Sequence, residues 1–503
     1  MSARVPALVV SLPATSVAPA RAQAAVALAA GADLAEVRFD RWSAAERNSA
    51  SELFPTPLPL IATLRSRAEG GEGPDDPAER ARILLDLARW PFRWIDVEAA
   101  RDGPLLARLP GPADLGRIVS THVVGEFDGG AWARLLREPV PVGCVRKVVA
   151  SASIGRLLGE LLPLLPPVEE SLVATMTTGA SGPLLRAWGQ RLGLPFVYAS
   201  LPEEGPGGSG SPPVEPGQIP VDRLRRYFAA PEAGPLFGIA GHPVAHSHSP
   251  WLHSRWMRDS ERTGIYVPLD FSSEAEFVEA LGPLADRGFR GINVTHPFKE
   301  AALAAASDVR PGAAACGVAN CLTLRGAEVE AENTDLLAVL RRLTELAEGG
   351  RWDGRSLTVV GTGGAARATL AAARTLGVER RVLGRDPVSA ANVARAFGAT
   401  AVSPADARSD GLVVHATSVG RADAGRLELP LERLLRPGGH LLDWVYAPDH
   451  ASVAEVAGRA GASYEDGRRL LVYQAAASFA RWWGEEPDEE SFRATLEEER
   501  CTA

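Results

Sequence analysis

The chain has 503 residues, which indicates two or more domains because one hydrophobic core stops growing near ~250–300 residues. Apolar residues make up 46% and charged residues 23%, an ordinary globular mixture that excludes wholesale disorder. The net charge of −9 argues against a nucleic-acid-binding protein, and no apolar run reaches the ~18–20 residues of a membrane span. Four cysteines without a CxxC pair favour a reducing, cytoplasmic location, and a first strand explains the weakly signal-like Met1–Ala25.

Eight strand-like runs alternate with helical patterns in the first half. They are Ala7–Leu12, Leu34–Arg38, Leu60–Leu64, Trp94–Glu98, Arg117–Ser120, Arg146–Ala150, Leu172–Met176 and Phe196–Ala199. Helices are predicted between them, for example at Pro77–Trp90 and Ile154–Leu165. This alternation predicts a (β/α)8 barrel, in which the chemistry lies at the carboxyl ends of the strands.

Lysine is nearly absent from the chain: of 53 Lys and Arg residues, only Lys147 and Lys299 are lysine. Arginine keeps its proton near neutral pH, so these two residues are the candidates for amine chemistry, with chance survival as the alternative. Lys147 lies on the predicted barrel strand Arg146–Ala150. We expect it to point into an apolar mouth, where desolvation lowers its pKa and suits it to form a Schiff base.

Six motifs of the first half resemble those of type I 3-dehydroquinate dehydratase, in the family's order. They are EVRFD (Glu36–Asp40), TLRSRAEGG (Thr63–Gly71), VSTH (Val119–His122), the Lys147 strand, GASGPLLR (Gly179–Arg186) and PGQI (Pro216–Ile219). The resemblance implies that Lys147 forms an imine with the substrate's C3 ketone, and that His122 moves the C2 proton while Glu69 orients it. The side chains implied to hold the substrate are Arg186, at the carboxylate, with Ser11, Glu36, Arg38, Arg65 and Gln218.

Three residues depart from this family's pattern: Val123, Leu185 and Val214 stand where the family usually has Asp, Ser and Ser. All three leave the catalytic groups in place. Glu203–Gly217 has the composition of a linker, but Gln218 lies beyond it, so we interpret it as a lid after the eighth strand. A last barrel helix is then predicted at Val221–Phe228, and the halves join at Ala229–Pro235.

The second half is predicted to open with a strand at Leu236–Ala240 and a histidine-rich turn. The histidine spacing fits no zinc pattern, and no metal is expected. Ser249 is predicted as a helix N-cap with Pro250 at the first helical position, so Ser247 and Ser249 present hydroxyls that suit a carboxylate.

A nucleotide-binding unit follows further along the chain. Its predicted parts are a strand at Ser356–Val360, the glycine-rich turn Gly361–Ala368, a helix continuing to Leu376, and a second strand at Arg381–Leu383. A glycine-rich turn between a strand and a helix suits a pyrophosphate. Arg385 after the second strand favours a 2′-phosphate and hence NADP, whereas the neighbouring Asp386 would favour NAD.

The motifs of the second half resemble those of shikimate dehydrogenase. They are SHSPWLHS (Ser247–Ser254), NVTHPFK (Asn293–Lys299), GVANC (Gly317–Cys321), NTD (Asn333–Asp335), the glycine-rich turn, HATSVGR (His415–Arg421), DWVYAP (Asp443–Pro448) and Gly467–Phe479. The resemblance implies that Lys299 and Asp335 form the ionic pair at the reacting oxygen. It implies substrate contacts by Ser247, Ser249, Asn293, Thr295, Asn320, Tyr446 and Gln474. It implies cofactor contacts by Gly361, Thr362, Gly363, Gly364, Ala365, Arg385, Thr417, Trp444 and Gly467.

The predicted fold is α/β, with a TIM barrel at 1–229, a shikimate-binding lobe at 236–338 plus 475–503, and a Rossmann-like NADP-binding lobe at 339–474. We interpret the chain as a bifunctional enzyme that dehydrates 3-dehydroquinate and then reduces 3-dehydroshikimate to shikimate with NADPH. Its expected partners are small molecules, not nucleic acid or membrane. A non-catalytic sensor of quinate or shikimate is one alternative, which the two retained lysines disfavour, and quinate dehydrogenase activity in the second half is another.

Overall fold

The computed structural model describes residues 5–56, 58–110, 114–125, 128–165, 173–202, 213–229, 234–244, 247–403, 405, 410–417, 431–446 and 451–501. The chain packs as two compact units. One contains Met1–Phe237, Pro243–Ser254 and Thr263–Pro283, and the other contains Gly238–His242, Arg255–Arg262 and Leu284–Ala503. In the described ranges, no helix is both long and apolar enough to cross a membrane.

The first sheet confirms the predicted barrel. Its strands are β1 (Ala7–Leu12), β2 (Leu34–Arg38), β3 (Leu60–Thr63), β4 (Trp94–Glu98), β5 (Gly116–Val123), β6 (Cys144–Ser151), β7 (Val173–Thr178) and β8 (Phe196–Ala199). They pair in the order β7-β6-β5-β4-β3-β2-β1-β8, and every pair is parallel. The described strands therefore form a nearly closed ladder whose two ends are β7 and β8.

The barrel helices follow the strands. They are α1 (Val17–Ala29), α2 (Ala44–Asn48), α3 (Pro77–Leu87), α4 (Ala99–Asp102), α5 (Gly129–Arg137), α6 (Ile154–Arg156), α7 (Gly182–Ala187) and α8 (Val221–Phe228). The helix predicted to continue to Leu165 is wrong beyond α6, where a π-helical turn and a 3-10 turn follow at Leu157–Leu161 and Leu162–Leu164. Pro163 has no N–H for an i→i−4 bond, so the regular ladder ends before it.

Side-chain alternation divides the barrel interior into two layers. Seven apolar residues fill the lower layer: Val9, Leu34, Ile61, Ile118, Val145, Ala174 and Phe196. The residues two positions further along the strands include Ser11, Glu36, Thr63, Ser120 and Lys147. Residues i and i+2 of a strand share a face, so the polar layer lies inside the barrel above the apolar one. The apolar plug thus supports a polar floor at the carboxyl ends of the strands.

The second sheet has six strands in the order β10-β9-β11-β13-β14-β12. The elements of this region are β9 (Leu236–Gly241), α9 (Ser249–Asp259), β10 (Ile265–Asp270), α10 (Glu274–Asp286), β11 (Phe289–Val294), α11 (Lys299–Ala304), β12 (Asp308–Val309), α12 (Pro311–Cys316), β13 (Cys321–Arg325), β14 (Glu328–Glu332) and α13 (Thr334–Glu348). Helix α9 corrects the predicted N-cap: Leu252 N–H bonds to the His248 carbonyl, so Ser249 is already the first helical residue.

The third sheet is wholly parallel, with the order β17-β16-β15-β18-β19-β20. Its region contains β15 (Ser356–Val360), α14 (Gly364–Thr375), β16 (Glu379–Leu383), α15 (Pro387–Phe397), β17 (Thr400–Ala401), β18 (Asp410–His415), α16 (Leu431–Leu434), β19 (Leu435–Asp443), α17 (Ala451–Arg459), β20 (Ser463–Glu465), α18 (Arg468–Trp483) and α19 (Glu489–Cys501). Numbered within the sheet, this is the Rossmann order 3-2-1-4-5-6. The glycine-rich turn follows β15, where the strand order reverses and dinucleotides bind in this fold.

Candidate active sites

A small cavity of about 30 Å³ lies inside the polar layer of the barrel. Its lining residues are Ser11, Glu36, Arg38, Thr63, Arg65, His122, Lys147, Val149, Met176, Thr178, Arg186, Tyr198, Glu215 and Gln218. The lining brings together every barrel residue predicted to bind substrate and both predicted reactive groups. Glu69, the remaining predicted residue, lies behind His122.

The Lys147 amine faces carboxylates. Its Nζ lies 3.1 Å from Asp96 Oδ2, 3.5 Å from Glu36 Oε1 and 4.1 Å from the centre of the Tyr198 ring. Burial lowers the pKa of Lys147, but Asp96, Tyr198 and Glu36 outweigh burial and raise it above its ordinary value. The predicted lowering of this pKa is therefore wrong, because the mouth was expected to be apolar. The ammonium must lose a proton before the amine can attack a carbonyl.

Arg65 organises the acids beneath Lys147. Its guanidinium donates to Asp96 at 3.0 Å, Glu69 at 3.1 Å, Glu98 at 3.3 Å and Ser120 Oγ at 3.0 Å. Burial raises the pKa of Asp96, but the Arg65 and Lys147 cations and the Ser120 hydrogen bond lower it to about 2. Asp96 therefore remains a carboxylate that holds both cations. Arg65 therefore holds neighbouring charges, as predicted, and its terminal N–H groups already donate to side chains of the protein.

His122 and Glu69 contact each other at the end of β5. The His122 main-chain N–H donates to Glu69 Oε2 at 2.9 Å, and the ring Nδ1 lies 3.3 Å from the same oxygen. Burial, followed by the charges of Arg65, Lys147 and Arg38, lowers the pKa of His122 well below its ordinary value. The imidazole is therefore neutral, with Nε2 left as a proton acceptor. Burial raises the pKa of Glu69 to about 7, against the opposing effect of Arg65.

Arg186 bridges the open ends of the barrel ladder. Its Nε donates to the carbonyl of Tyr198 on β8 at 2.9 Å, and its Nη1 donates to the carbonyl of Thr177 on β7 at 2.8 Å and to that of Gly182 at 2.9 Å. Burial lowers its pKa to about 10, an effect that Glu215 opposes. Within the described ranges, the Arg186 cation forms no ion pair with a carboxylate. A buried cation without an anionic partner suits an anionic ligand.

The carboxyl-terminal end of the predicted lid contacts the barrel. Arg38 binds Asp40 through two hydrogen bonds of 2.8 and 2.9 Å and also donates to Glu215 at 3.0 Å. Residues 203–212 of the lid predicted at Glu203–Gly217 lie outside the described ranges. The contact of Glu215 supports the assignment of this end of the segment to the barrel.

Glu36 accepts hydrogen bonds from the barrel floor. Ser11 Oγ and Thr63 Oγ1 each donate to it at 2.8 Å, and Gln218 Nε2 donates to Ser11 Oγ at 3.1 Å. The predicted substrate-binding residues Ser11, Glu36 and Gln218 therefore form one connected network.

Lys299 and Asp335 form an ion pair, with 2.5 Å between Nζ and Oδ2. Lys299 begins α11, and Asp335 lies in the first turn of α13, where the helix dipole favours a carboxylate. A Cβ added to Gly364 would lie 2.8 Å from Lys299 Cδ. The glycine-rich turn therefore passes directly beside the Lys299 side chain.

Buried amides and hydroxyls form a network within the second compact unit. Asn293 Nδ2 donates to Ser478 Oγ at 2.7 Å, Asn320 Oδ1 accepts from the Thr334 N–H at 2.7 Å, and the Thr334 and Ser478 hydroxyls are 3.1 Å apart. Gln474 Nε2 donates to its own helix at 3.0 Å. The sequence motifs identified the three amides but did not identify Thr334 and Ser478.

The other predicted substrate residues are placed as follows. Ser247 Oγ accepts from the Ser249 N–H at 3.3 Å, beside the start of α9. Thr295 is half-buried, and its N–H bonds to the Ala240 carbonyl at 2.8 Å. Tyr446 is half-buried, and the end of its motif, Ala447 and Pro448, lies outside the described residues.

The glycine-rich turn leaves the start of α14 uncovered. Gly361 has φ +128°, and a Cβ there would lie 2.5 Å from the Ala416 carbonyl, so the position requires glycine. Gly363 is the N-cap of α14 without a side-chain cap, and a Cβ at this position would meet nothing within 4 Å. Thr362 and Ala365 are half-buried beside these glycines. The open N–H groups of this helix fit a pyrophosphate.

Arg385 and Asp386 differ in whether their side chains are free to contact a cofactor. The Asp386 carboxylate caps α15, accepting from the Val388 N–H at 3.2 Å, the Ser389 N–H at 2.9 Å and the Ser389 hydroxyl at 2.5 Å. These hydrogen bonds, led by that of the hydroxyl, lower the pKa of Asp386. Arg385 is exposed and has no ion-pair partner among the residues described. The pair therefore fits the additional phosphate of NADP better than a ribose diol.

His415 is buried at the end of β18 and contacts the side chains of Asp443 and Thr417. His415 Nδ1 lies 2.8 Å from Asp443 Oδ1, and its Nε2 lies 2.7 Å from Thr417 Oγ1. A Cβ on Gly467 would lie 2.3 Å from the Trp444 carbonyl, so this site also requires close backbone contact. Residues 418–421 of the predicted HATSVGR motif lie outside the described part of the chain.

Comparison with known proteins identifies both halves. A model of type I 3-dehydroquinase matches residues 8–234, and a model of the shikimate dehydrogenase substrate binding domain matches residues 239–322. A shikimate dehydrogenase (NADP(+)) from Paracoccus denitrificans is 37% identical over 276 residues, which cover 53% of this chain and 97% of the relative. The chain belongs to the shikimate dehydrogenase family. It joins this dehydrogenase to a type I dehydroquinase domain, so one polypeptide contains a lyase and an oxidoreductase of the shikimate pathway.

Other relatives of the shikimate dehydrogenase domain have similar coverage. The enzyme from Acidiphilium cryptum is 37% identical over 266 residues, covering 52% of this chain and 95% of the relative. The solved shikimate 5-dehydrogenase of Thermus thermophilus, in complex with NADP(H) and shikimate, has 32% identity and a TM-score of 0.47, covering 53% of this chain and 99% of that one. A dehydroquinate dehydratase and shikimate dehydrogenase from S. pombe has 21% identity and a TM-score of 0.43, with 98% coverage of both chains.

In the dehydroquinase domain, the motifs did not identify Asp96 or Tyr198. Asp96 follows Trp94, which packs against the apolar plug, by two residues, and Tyr198 follows Phe196 of the plug by two residues. Strand alternation could therefore have placed them on the floor of the site. In the dehydrogenase domain, the motifs included His415 and Asp443 but did not predict the contact between them.

Proposed function

We propose that the chain catalyses two consecutive reactions: dehydration of 3-dehydroquinate to 3-dehydroshikimate in the barrel, and reduction of that product to shikimate with NADPH. The observation that carries the proposal is the barrel cavity, in which Lys147, the neutral His122 and the Arg186 cation, which pairs with no carboxylate among the described residues, line one small volume. A cationic anchor, an amine and a proton acceptor are the groups that a Schiff-base dehydration of a keto acid requires.

In the dehydration, Arg186 binds the substrate carboxylate. Lys147 loses its proton and attacks C3, the C–N bond forms, and the ketone oxygen leaves as water to give an iminium. The iminium acidifies the C2–H, and His122 Nε2 takes that proton while Glu69 holds the ring. His122 then returns the proton to the departing C1 hydroxyl, which leaves as a second water. Hydrolysis of the imine takes up one water and frees Lys147, so the net reaction releases one water.

In the reduction, NADPH supplies the hydride when it is bound. Lys299 donates a proton to the oxygen at C3, and Asp335 orients the ammonium and balances its charge. We propose that Ser247 and Ser249 bind the carboxylate. The residues proposed to contact the ring and its hydroxyls are Asn293, Thr295, Asn320, Tyr446 and Gln474.

The cofactor of the dehydrogenase domain is NADP. The backbone of the turn, Gly361, Thr362, Gly363, Gly364 and Ala365, is proposed to hold the pyrophosphate at the start of α14. Arg385 is proposed to bind the 2′-phosphate. Thr417, Trp444 and Gly467 are proposed to contact the rest of the cofactor.

We propose domain boundaries at 1–229 for the barrel, 236–338 plus 475–503 for the substrate lobe and 339–474 for the NADP lobe. The continuous Rossmann-ordered sheet between Ser356 and Glu465 supports the last of these. We also propose a cytoplasmic location, because the described cysteines Cys144, Cys316 and Cys321 are buried free thiols.

Borohydride reduction in the presence of 3-dehydroquinate tests this proposal. The reductant converts an imine into a stable secondary amine, and mass spectrometry of the digest then locates the adduct. We expect one adduct, on Lys147. An adduct on another residue, or none during observed turnover, would remove the Schiff-base assignment.

A further inference from the structure

The Tyr198 hydroxyl is a buried polar group that the proposed mechanism does not use. The side chain is 3% exposed and lines the barrel cavity. Among the residues that the structure describes, the hydroxyl forms no hydrogen bond of regular geometry, and Lys147 is the side chain that acts on it most strongly. Tyr227, another buried tyrosine of the same domain, donates to the Gly234 carbonyl at 3.1 Å. An unpaired buried hydroxyl destabilises the folded state, and phenylalanine would fill the same space without that cost.

The position of Tyr198 directs this hydroxyl to the reacting groups. Tyr198 lies on β8, two residues after Phe196 of the apolar plug, and its carbonyl accepts from Arg186 at 2.9 Å. The Lys147 amine lies 4.1 Å from the ring centre. The ring therefore lies between the proposed carboxylate anchor and the proposed nucleophile.

We propose that Tyr198 is a catalytic residue whose phenol donates a hydrogen bond to the oxygen on the carbon that Lys147 attacks. This inference rests on the proposed Schiff-base function and deepens it. The Lys147 amine lies 4.1 Å from the ring centre, and both its charge and its side-chain contact act on the phenol, so an oxygen on a carbon bonded to Nζ lies within reach of the phenol O–H.

The hydrogen bond acts while the C–N bond forms. The amine electron pair makes that bond, the C=O π pair moves onto oxygen, and the phenol O–H stabilises the negative charge that develops there. The oxygen then takes one proton from the attacking nitrogen and a second, equivalent to the one that the Lys147 ammonium gave up before attack, and leaves as water with its electron pair. Burial raises the pKa of Tyr198 above its ordinary value, against the effect of Lys147, so the phenol remains a donor.

The variant Tyr198→Phe separates this role from packing, because it retains the ring beside Lys147. We expect kcat for dehydration to fall ~10- to 100-fold with a smaller change in KM, since the hydrogen bond strengthens as the charge develops. The melting temperature should be unchanged or higher, because an unpaired buried hydroxyl is removed. Dehydrogenation of shikimate by the same chain is the internal control and should be unaffected.

Tyr227→Phe is the matched control: its hydroxyl has a partner, so this variant should lower the melting temperature and leave kcat unchanged. The rate of borohydride trapping on Lys147 decides between outcomes. Slower trapping and lower kcat in Tyr198→Phe, at an undiminished melting temperature, support the proposal. A wild-type kcat, or a lowered kcat with wild-type trapping, would overturn it. A wild-type enzyme that turns over without an adduct on Lys147 would instead overturn the underlying Schiff-base function.

Discussion

Replacing Arg385 by alanine should remove most of the preference for NADP. Arg385 is exposed and forms no ion pair among the described residues, so binding a phosphate breaks no existing contact. A hydrogen bond to a charged group contributes about 1.5–3 kcal/mol, and exposure to solvent places this one at the lower end. At about 1.4 kcal/mol per tenfold, kcat/KM for NADP should fall ~10- to 30-fold. The value for NAD should hardly change, since NAD carries no 2′-phosphate.

The structure also predicts that the Arg385→Ala variant does not become an NAD enzyme. Asp386 is the acid at this strand end, and the start of α15 already occupies its carboxylate with three hydrogen bonds. Arg395→Ala is the matched control, because it removes an exposed cation from the far end of the same helix. Steady-state kinetics with both cofactors test the reasoning. Equal use of NADP and NAD by the wild type, or an equal loss with both in Arg385→Ala, would refute it.

Three further predictions concern the proton-transfer groups. Lys147→Arg should abolish dehydration and leave shikimate oxidation intact, because arginine keeps the charge but forms no imine; residual imine trapping in this variant would contradict the assignment. Lys299→Ala and Asp335→Asn should each lower kcat for shikimate ~10²–10⁴-fold with little change in KM. The two losses should not add in the double variant. A near-normal kcat in Lys299→Ala would mean that Lys299 only anchors the substrate. The rate of dehydration should increase as pH rises through about 7, because Glu69 ionises there and becomes a stronger hydrogen-bond acceptor for His122. Glu69→Gln should flatten this rise in the pH–rate profile. An unchanged rise in this variant would assign the titration to another group.

Much of the fold could be predicted because local patterns and barrel geometry agree. The strands β1, β2, β4 and β8 have their predicted bounds, since each is a short segment in which most residues are apolar. The helix predicted to continue to Leu165 ends at Arg156. The apolar spacing continues through Leu162, but Pro163 lacks the N–H that a regular helix needs. Spacing alone does not show where a hydrogen-bond ladder must stop.

The composition of the candidate sites could be predicted more fully than their electrostatics. The motifs identified Lys147 but not Asp96, which lies on a different strand 51 positions away and reverses the expected pKa shift. A pKa depends on the sum of burial and nearby charges, and that sum exists only once the strands are adjacent. Asp386 shows the same limit: its sequence position suggests a ribose contact, whereas its hydrogen bonds make it a helix cap.

A single coupled assay tests the central claim most directly. The full chain is supplied with 3-dehydroquinate and NADPH, and the near-ultraviolet absorbance of the reduced cofactor is followed. We predict that the absorbance falls, that Lys147→Arg stops the fall, and that adding 3-dehydroshikimate to this variant restores it. A chain that binds these ligands without consuming NADPH from either substrate would contradict the bifunctional account and favour a sensor.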